Sequence, residues 1–282
     1  MRFATIVDDG PPAVAVVSDQ RLLPLAMTEA GFDSMRGIAA SGADGLARID
    51  AWVESQPDRA HRRLADVRLG PAVPAPGAIY TVGLNYPAPG GLDDTGPERP
   101  LIYAKLPSAV TGHASVVTWD RSLTGNVDPE AELGVVIGAR AAAIAPADAM
   151  RHVFGYTCIN DISSRDPWLD GDQWLLGKSM PGFCPVGPWI VTPDELTVDR
   201  LRLSCTINGV AIQEGNTAQM RFSIAEVISY ISRHAVLQPG DLIATGTPAR
   251  LAGPMGPERH LQVGDLVTVW IEDIGELTTA VA

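Results

Sequence analysis

From residue 78 to the end of the chain, short β-type runs follow one another at close spacing: AIYTV, LIYAK, ELGVVIGA, YTCI, WIVT, LRLSCTI, DLIATG and LVTVWIE. They are rich in β-branched and aromatic residues, and glycine and proline punctuate the chain between them. Only residues 146–153 and 223–235 carry a helical pattern in this stretch. There is no regular alternation of strand and helix, so the pattern predicts a mainly β architecture with few helices.

Upstream the pattern differs. FATIV and AVAVV flank the turn Asp8-Asp9-Gly10-Pro11-Pro12 and predict a hairpin over the first twenty or so residues. Residues 27–66 are Ala-rich and helix-like until Gly70-Pro71-Ala72-Val73-Pro74-Ala75-Pro76-Gly77 breaks the pattern. The expected division is a small N-terminal α+β domain over 1–70 and a larger β-rich domain over 71–282. No internal repeat or low-complexity tract is present. A chain of 282 residues, 46% of them hydrophobic, can bury a sizeable core. Its formal charge of −12 argues against nucleic acid or an anionic membrane as partner, because both would repel it. No apolar stretch approaches the roughly 18 residues of a membrane span, and Asp8, Asp9 and Gly10 interrupt the N-terminus before a signal-type core forms. The expectation is a soluble, cytoplasmic protein. Cys158, Cys184 and Cys205 are odd in number, far apart and in apolar surroundings, which predicts buried free thiols.

No G-x-S-x-G or G-x-G-x-x-G occurs, and Gly171 to Gly177 encloses five residues where a P-loop encloses four. The chemistry lies elsewhere. In Asp128-Pro129-Glu130-Ala131-Glu132-Leu133-Gly134-Val135-Val136-Ile137 two glutamates enter an apolar strand, and residues two apart on a strand share a face. Paired carboxylates in a low dielectric need a cation or a proton, although a solvent-facing strand edge would carry them without either. Asp161, between Ile159 and Ile162, ends a second apolar run. Three such carboxylates converging from two strand ends would suit a hard cation with oxygen ligands, Mg²⁺ or Mn²⁺. Simpler readings stand beside that one: a turn cap for Asp161, a surface ion pair for Arg165 and Asp166, and a snorkelling surface lysine for Lys178.

The ordered set GLNY, IYAKLPSAVTGH, VDPEAELGVVIG, FGYTCINDISSRD, WLLGKS, FCPVGPWIVT, INGVAIQEGNT, LQPGDLIATGTP and VGDLVTV resembles the fumarylacetoacetate hydrolase family over roughly residues 78–280. The resemblance implies an α+β, mainly β fold: a mixed β-roll with a small N-terminal domain, in a homodimer. It implies that Glu130, Glu132 and Asp161 bind Mg²⁺ or Mn²⁺, that Lys178 and Arg165 act in the pocket, and that Asn85, Tyr86, Trp168, Gly246 and Thr247 bind the substrate. Members act on small 2-oxo acids and β-dicarbonyl compounds as C–C hydrolases, decarboxylases, tautomerases, isomerases or dehydratases. Their shared logic is a chelated 2-oxo or enol group whose enolate the ion stabilises, with a lysine neutralising oxyanion charge.

The departures fall on the pocket. The family's hydrolases and decarboxylases commonly read N-Y-x-x-H with a glutamate three residues later; here those positions are Pro89 and Leu92. Proline cannot take a proton from water. The usual glutamine after Arg-Asp-x is Trp168, the aspartate of G-K-S-F-D is Pro181, and the glycine of T-G-T-P-x-G is Arg250. Of His61, His113, His152, His234 and His260, only His113 is placed near the lid segment, with a structural role the simpler reading. Asp93 and Asp94 could swing over the pocket, though loop acids are commonly just solvated. Without the water-activating pair the expected reaction is decarboxylation, tautomerisation, isomerisation or a related rearrangement through a metal-bound enolate. C–C hydrolysis is the alternative, and a non-catalytic binding protein on the same fold the second.

Overall fold

The computed structural model describes residues 1–8, 10–25, 31–32, 34–57, 60–87, 96–166, 174–251 and 259–282. The opening hairpin forms as expected. Strand β1 (Arg2–Ile6) pairs antiparallel with β2 (Ala13–Ser18), Phe3 opposite Val16 and Ile6 opposite Ala13. Strands β3 (Arg21–Pro24) and β4 (Arg62–Arg63) continue the same sheet, and between them lie α1 (Met35–Ala39) and α2 (Gly42–Ser55). Ser34 starts α1 by accepting the Gly37 N–H at 3.0 Å.

The β-rich remainder begins with β5 (Ile79–Gly83), β6 (Leu101–Lys105), β7 (Val110–Thr111), β8 (Ser115–Val117) and β9 (Val127–Asp128). Next come β10 (Ala131–Ile137), α3 (Pro146–Ala149), β11 (Val153–Asn160), β12 (Ser163–Ser164) and α4 (Trp174–Lys178). After β13 (Cys184–Val191), β14 (Arg202–Ile207) and β15 (Val210–Asn216), the chain makes α5 (Ile224–His234), β16 (Leu242–Ala244), β17 (Leu266–Ile271) and β18 (Gly275–Val281). Helix α5 is held at its start by a capping box, Ser223 with Glu226, and buries Ile224, Val227, Ile228 and Ile231 on one face.

Among the described residues, eleven strands form the main sheet in the order β4-β3-β2-β1-β13-β11-β10-β16-β5-β6, with β7 alongside β13. Five more form β15-β14-β17-β18-β8, and β9 pairs with β12. The pairing is mixed: β5 with β16, β7 with β13 and β8 with β18 are parallel, and the other pairs are antiparallel. Strand β10 lies between β11 and β16, and all seven of its residues are buried. Its alternation serves two cores. Leu133, Val135 and Ile137 pack with Leu203, Ile207, Val267 and Val269 of the five-stranded sheet, whereas Val136 packs with Phe3, Ile38, Phe154 and Ile190. A side chain at Gly134 would sit 2.7 Å from Ile159 Cδ1, so glycine is what lets β10 and β11 close up there.

The three cysteines are buried and free. The helical pattern over 146–153 is cut short: α3 ends at Ala149, a 3₁₀ turn follows, and Val153 already belongs to β11. No helix of the described residues is long and apolar enough to cross a membrane.

Candidate metal centre and its cavity

Two paired strand ends build the site. In the register of β10 with β11, Ala131 faces Asn160 and Glu132 faces Ile159, so the residue before β10 and the residue after β11 meet at one end. The Asp161 N–H donates to the Glu130 carbonyl at 2.9 Å, and the Glu130 N–H donates to Asn160 Oδ1 at 3.1 Å. Glu130, Glu132 and Asp161 thereby each offer a carboxylate oxygen within 4.8 Å of the others. All three are buried, at 8%, 2% and 1% exposure, which removes the strand-edge and turn-cap readings.

So many buried acids require compensation. Lys178 Nζ donates to Asp161 Oδ2 at 2.7 Å, Ser163 Oγ at 2.7 Å and Glu130 Oε2 at 3.1 Å, which engages all three of its hydrogens. It is buried, not snorkelling. Lys105 at the end of β6 donates to Asp161 Oδ1 at 2.5 Å and to the Ile162 carbonyl at 3.0 Å. Arg165, placed by the β9–β12 pairing, contacts Glu130 Oε1 and reaches Asp128 Oδ2 at 3.3 Å. Asp166 is held separately, accepting from Thr124 and, at 3.0 Å, from Asn126 Nδ2.

Burial opposes ionisation of Glu130, but Arg165 and Lys178 hold its carboxyl below the usual range. For Glu132 the balance reverses. Burial, then Asp161 and Glu130, push it well above the usual range, and Lys178 and the Gly246 N–H offset only part of this. Burial also works against the charge on Lys178, yet Asp161, Glu130 and Glu132 outweigh it and raise the ammonium above the ordinary lysine range. Glu132 accepts the Gly246 N–H at 2.7 Å and has no ion pair among the described residues. An oxygen-only cluster with one carboxylate short of positive charge fits a hard divalent cation, and these three residues could hold one.

The triad and Lys178 line a cavity of about 570 Å³ together with Thr81, Tyr86, Tyr103, Arg165, Trp174, Gln213, Thr247 and Arg250, among others. Tyr103 and Trp174 stack at 4.5 Å between centroids, docking α4 on β6 and fixing the helix that ends in Lys178. Tyr86 lies on the wall, buried, its hydroxyl without a partner among the described residues; burial and then Glu132 keep that hydroxyl protonated well above the ordinary phenol range. Thr247 also lines the cavity, with its hydroxyl donating to the Ala131 carbonyl at 2.9 Å and accepting from Gln213 Nε2 at 2.8 Å.

Asn85 and Gly246 stand behind the wall. The Asn85 amide donates to the carbonyls of Thr245 at 2.7 Å and Phe222 at 3.2 Å and accepts the Phe222 N–H at 2.9 Å, tying the end of β5 to two other loops. Gly246, at φ +98°, aims its N–H at Glu132; a Cβ there would lie 2.7 Å from Asn85 Cβ. Trp168, Pro89, Leu92, Asp93 and Asp94 lie outside the described residues. Pro181 is corrected: it sits exposed in the turn before β13 and does not line the cavity. His113 accepts the Thr278 N–H at 3.4 Å and is likewise not on the wall.

Residue patterns alone missed Lys105, Asp128 and Gln213. Gln213 is buried on β15 and organises the rim, accepting the Ala131 N–H at 2.9 Å and donating to the Pro248 carbonyl at 2.7 Å. Its signal was a glutamine following Val-Ala-Ile in a strand-like run.

The model of the fumarylacetoacetate (FAA) hydrolase C-terminal family matches residues 78–282. A fumarylacetoacetate hydrolase from Exiguobacterium antarcticum has the same fold, with a TM-score of 0.86 and 31% identity over 100% of this chain and 99% of its own. A 5-carboxymethyl-2-hydroxymuconate delta-isomerase from Mycobacterium smegmatis superposes with a TM-score of 0.79 at 28% identity, covering 100% and 99%. A maleylpyruvate hydrolase from Sphingobium sp. SYK-6, solved with manganese(II) and pyruvate, does so with a TM-score of 0.81 at 28% identity, again over 100% and 99%.

Proposed function

The chain belongs to the fumarylacetoacetate hydrolase family, and from that premise we propose a divalent-metal-dependent enzyme that converts a 2-oxo acid or β-dicarbonyl compound through an enolate. The observation that carries the reading is the buried Glu130, Glu132 and Asp161 cluster beside Lys178 at the wall of an open cavity. Mg²⁺ or Mn²⁺ at those carboxylates would polarise a 2-oxo group and favour negative charge on its oxygen. The manganese and pyruvate held by the Sphingobium relative support that pairing of metal and substrate class.

The chain's own groups divide the remaining work. Lys178 presents an ammonium charge beside the triad, where oxyanion charge would develop, and Arg165 adds a second cation on the same wall. The unpartnered Tyr86 hydroxyl is a donor for a substrate oxygen. Asn85 and Gly246 take part as positioning residues, through the loop that holds Glu132, and Thr247 shapes the rim. No histidine is among the described lining residues, and Pro89 and Leu92 stand where the resembled family pattern has its water-activating histidine and glutamate. Reactions that need no activated water are therefore favoured: decarboxylation, tautomerisation, isomerisation or a related rearrangement. C–C hydrolysis is the second reading, favoured by two relatives named as hydrolases. A purely binding role is opposed by the number of charges buried at one spot.

Calorimetric titration of chelator-treated protein with Mg²⁺ and Mn²⁺ tests the centre. We expect binding in the wild type and a loss of at least about tenfold in Glu132→Ala; absence of binding in the wild type would sink the proposal. NMR in D₂O with oxaloacetate and acylpyruvates then separates the reactions by CO₂ loss, proton exchange or cleavage to two acids. The last outcome selects the hydrolase reading. A homodimer, implied by the resemblance, predicts sedimentation at twice 29.8 kDa.

A further inference from the structure

Leu84, in Gly83-Leu84-Asn85-Tyr86, is a side chain that the proposed function leaves unexplained. At 67% exposure it is the most exposed large apolar residue among those described, and it lines the cavity. Its φ of +54° is left-handed, a conformation that glycine or asparagine takes far more readily than leucine. A turn needs neither an exposed apolar side chain nor that strain. A ligand lying against Leu84 would use the first and account for the second.

The surroundings say what kind of ligand. Gly83 faces Leu101 across the β5–β6 pair, and a Cβ at Gly83 would come within 2.7 Å of Tyr103 Cε2 and 3.4 Å of Leu101 Cδ2, so both side chains close over that glycine. Tyr103 in turn stacks on Trp174. Leu84, Leu101, Tyr103 and Trp174 all line the cavity, the last three half-buried, so the wall they make keeps surface for a ligand. Trp174 lies one helical turn before Lys178, which starts the wall beside the triad, and the exposed Leu84 ends it at the mouth. None of the four carries a charge. The lining cations are engaged elsewhere: Lys178 at the triad, Arg165 and Arg250 on Asp128, and Arg221 with its guanidinium packed against Gly96. At about 570 Å³ the cavity has room for a tail much longer than the methyl group of pyruvate.

We propose that Leu84, with Leu101, Tyr103 and Trp174, holds an uncharged apolar tail, alkyl or aryl, on a substrate whose 2-oxo acid end sits at the triad. Leu84 is thereby a specificity-determining residue. This rests on the metal-site reading above and adds to it the chemistry of the far end. The competing role for Leu84 is that of a turn residue with no part in binding.

The experiment measures binding of pyruvate, 2-oxohexanoate, 2-oxo-4-phenylbutanoate and 2-oxoadipate in the presence of Mn²⁺ by calorimetry. It is run on the wild type, Leu84→Asn and Leu84→Met, with the melting temperature of each. The wild type is expected to bind 2-oxo-4-phenylbutanoate about tenfold or more tighter than pyruvate, and 2-oxohexanoate tighter than 2-oxoadipate, its diacid of equal length. Leu84→Asn should cut the first preference to about threefold or less and leave pyruvate binding as it was, while melting at or above the wild-type temperature, because asparagine tolerates the left-handed backbone. Leu84→Met keeps an apolar contact and should keep the preference. A wild type that binds pyruvate and the phenyl acid alike overturns the inference, as does tighter binding of 2-oxoadipate than of 2-oxohexanoate. So does a preference that survives Leu84→Asn, or a variant that loses affinity for pyruvate and the phenyl acid in equal measure. If no 2-oxo acid binds in the presence of Mn²⁺, the metal-site reading itself has failed, and the two failures are told apart.

Discussion

At Glu132 the protein buries a carboxylate against two others and gives it a backbone N–H in place of a cation. With its folded pKa raised above the unfolded value of about 4.3, its contribution to stability is fully present below that pH and is lost as pH rises toward the folded value. Glu130, held low, acts in the opposite sense and only below about pH 4.3. In metal-free protein the urea midpoint of the wild type should therefore fall relative to Glu132→Gln as pH is raised from about 4.5 to 8, and added Mg²⁺ should reverse the trend by supplying the missing charge. A difference that stays flat across that range would contradict the account. Single residues were unevenly legible. Glu130, Glu132, Asp161 and Lys178 drew notice because charges sat within or beside apolar runs. Lys105, ending LIYAK, reads as an ordinary strand terminus; only its pairing with Asp161, 56 residues away, shows that it is buried.

Among the elements, the segment after β16 does more than connect. Thr245 bonds to the Leu133 carbonyl from both its N–H, at 3.1 Å, and its hydroxyl, at 2.9 Å, and Gly246 then directs its N–H at Glu132. The left-handed φ and the 2.7 Å approach of a built Cβ to Asn85 leave no room for a side chain. Gly246→Ala is expected to cost about 1–3 kcal/mol in urea unfolding and to weaken Mn²⁺ binding, because the strain falls on the loop that holds Glu132. Unchanged metal affinity in a destabilised variant would separate this loop from the centre. Strands were the more readable elements, since β-branched runs bounded by glycine and proline declare themselves locally. Helix α4 was not read: WLLGK is too short to show a helical period, and the Tyr103–Trp174 stack docks it.

On the scale of the molecule, the first seventy residues are joined to the rest by backbone as well as by side chains. β1 lies against β13 with Arg2 opposite Val191 and Phe3 opposite Ile190, and Phe3 meets Phe154 at 5.7 Å. Expressing 71–282 alone would leave that edge of β13 unpaired and uncover Ile190 and Phe154, so the fragment is expected to aggregate in size-exclusion chromatography. A monodisperse fragment that still binds Mn²⁺ would show instead that the two parts fold independently. The mainly β class, the opening hairpin, the buried thiols and the identity of the acids were determined by the sequence itself. Propensity, period and the cost of burying charge are local properties that a short window displays. Which charges meet was decided by the tertiary structure alone. The β10–β11 register brings Glu130 beside Asp161, β6 carries Lys105 to the same carboxylate, and the approach of Arg250 to Asp128 turns a glycine position into part of the cavity wall. Electrostatic energy depends on distance through space and on burial, and a linear chain specifies neither until its strands have paired.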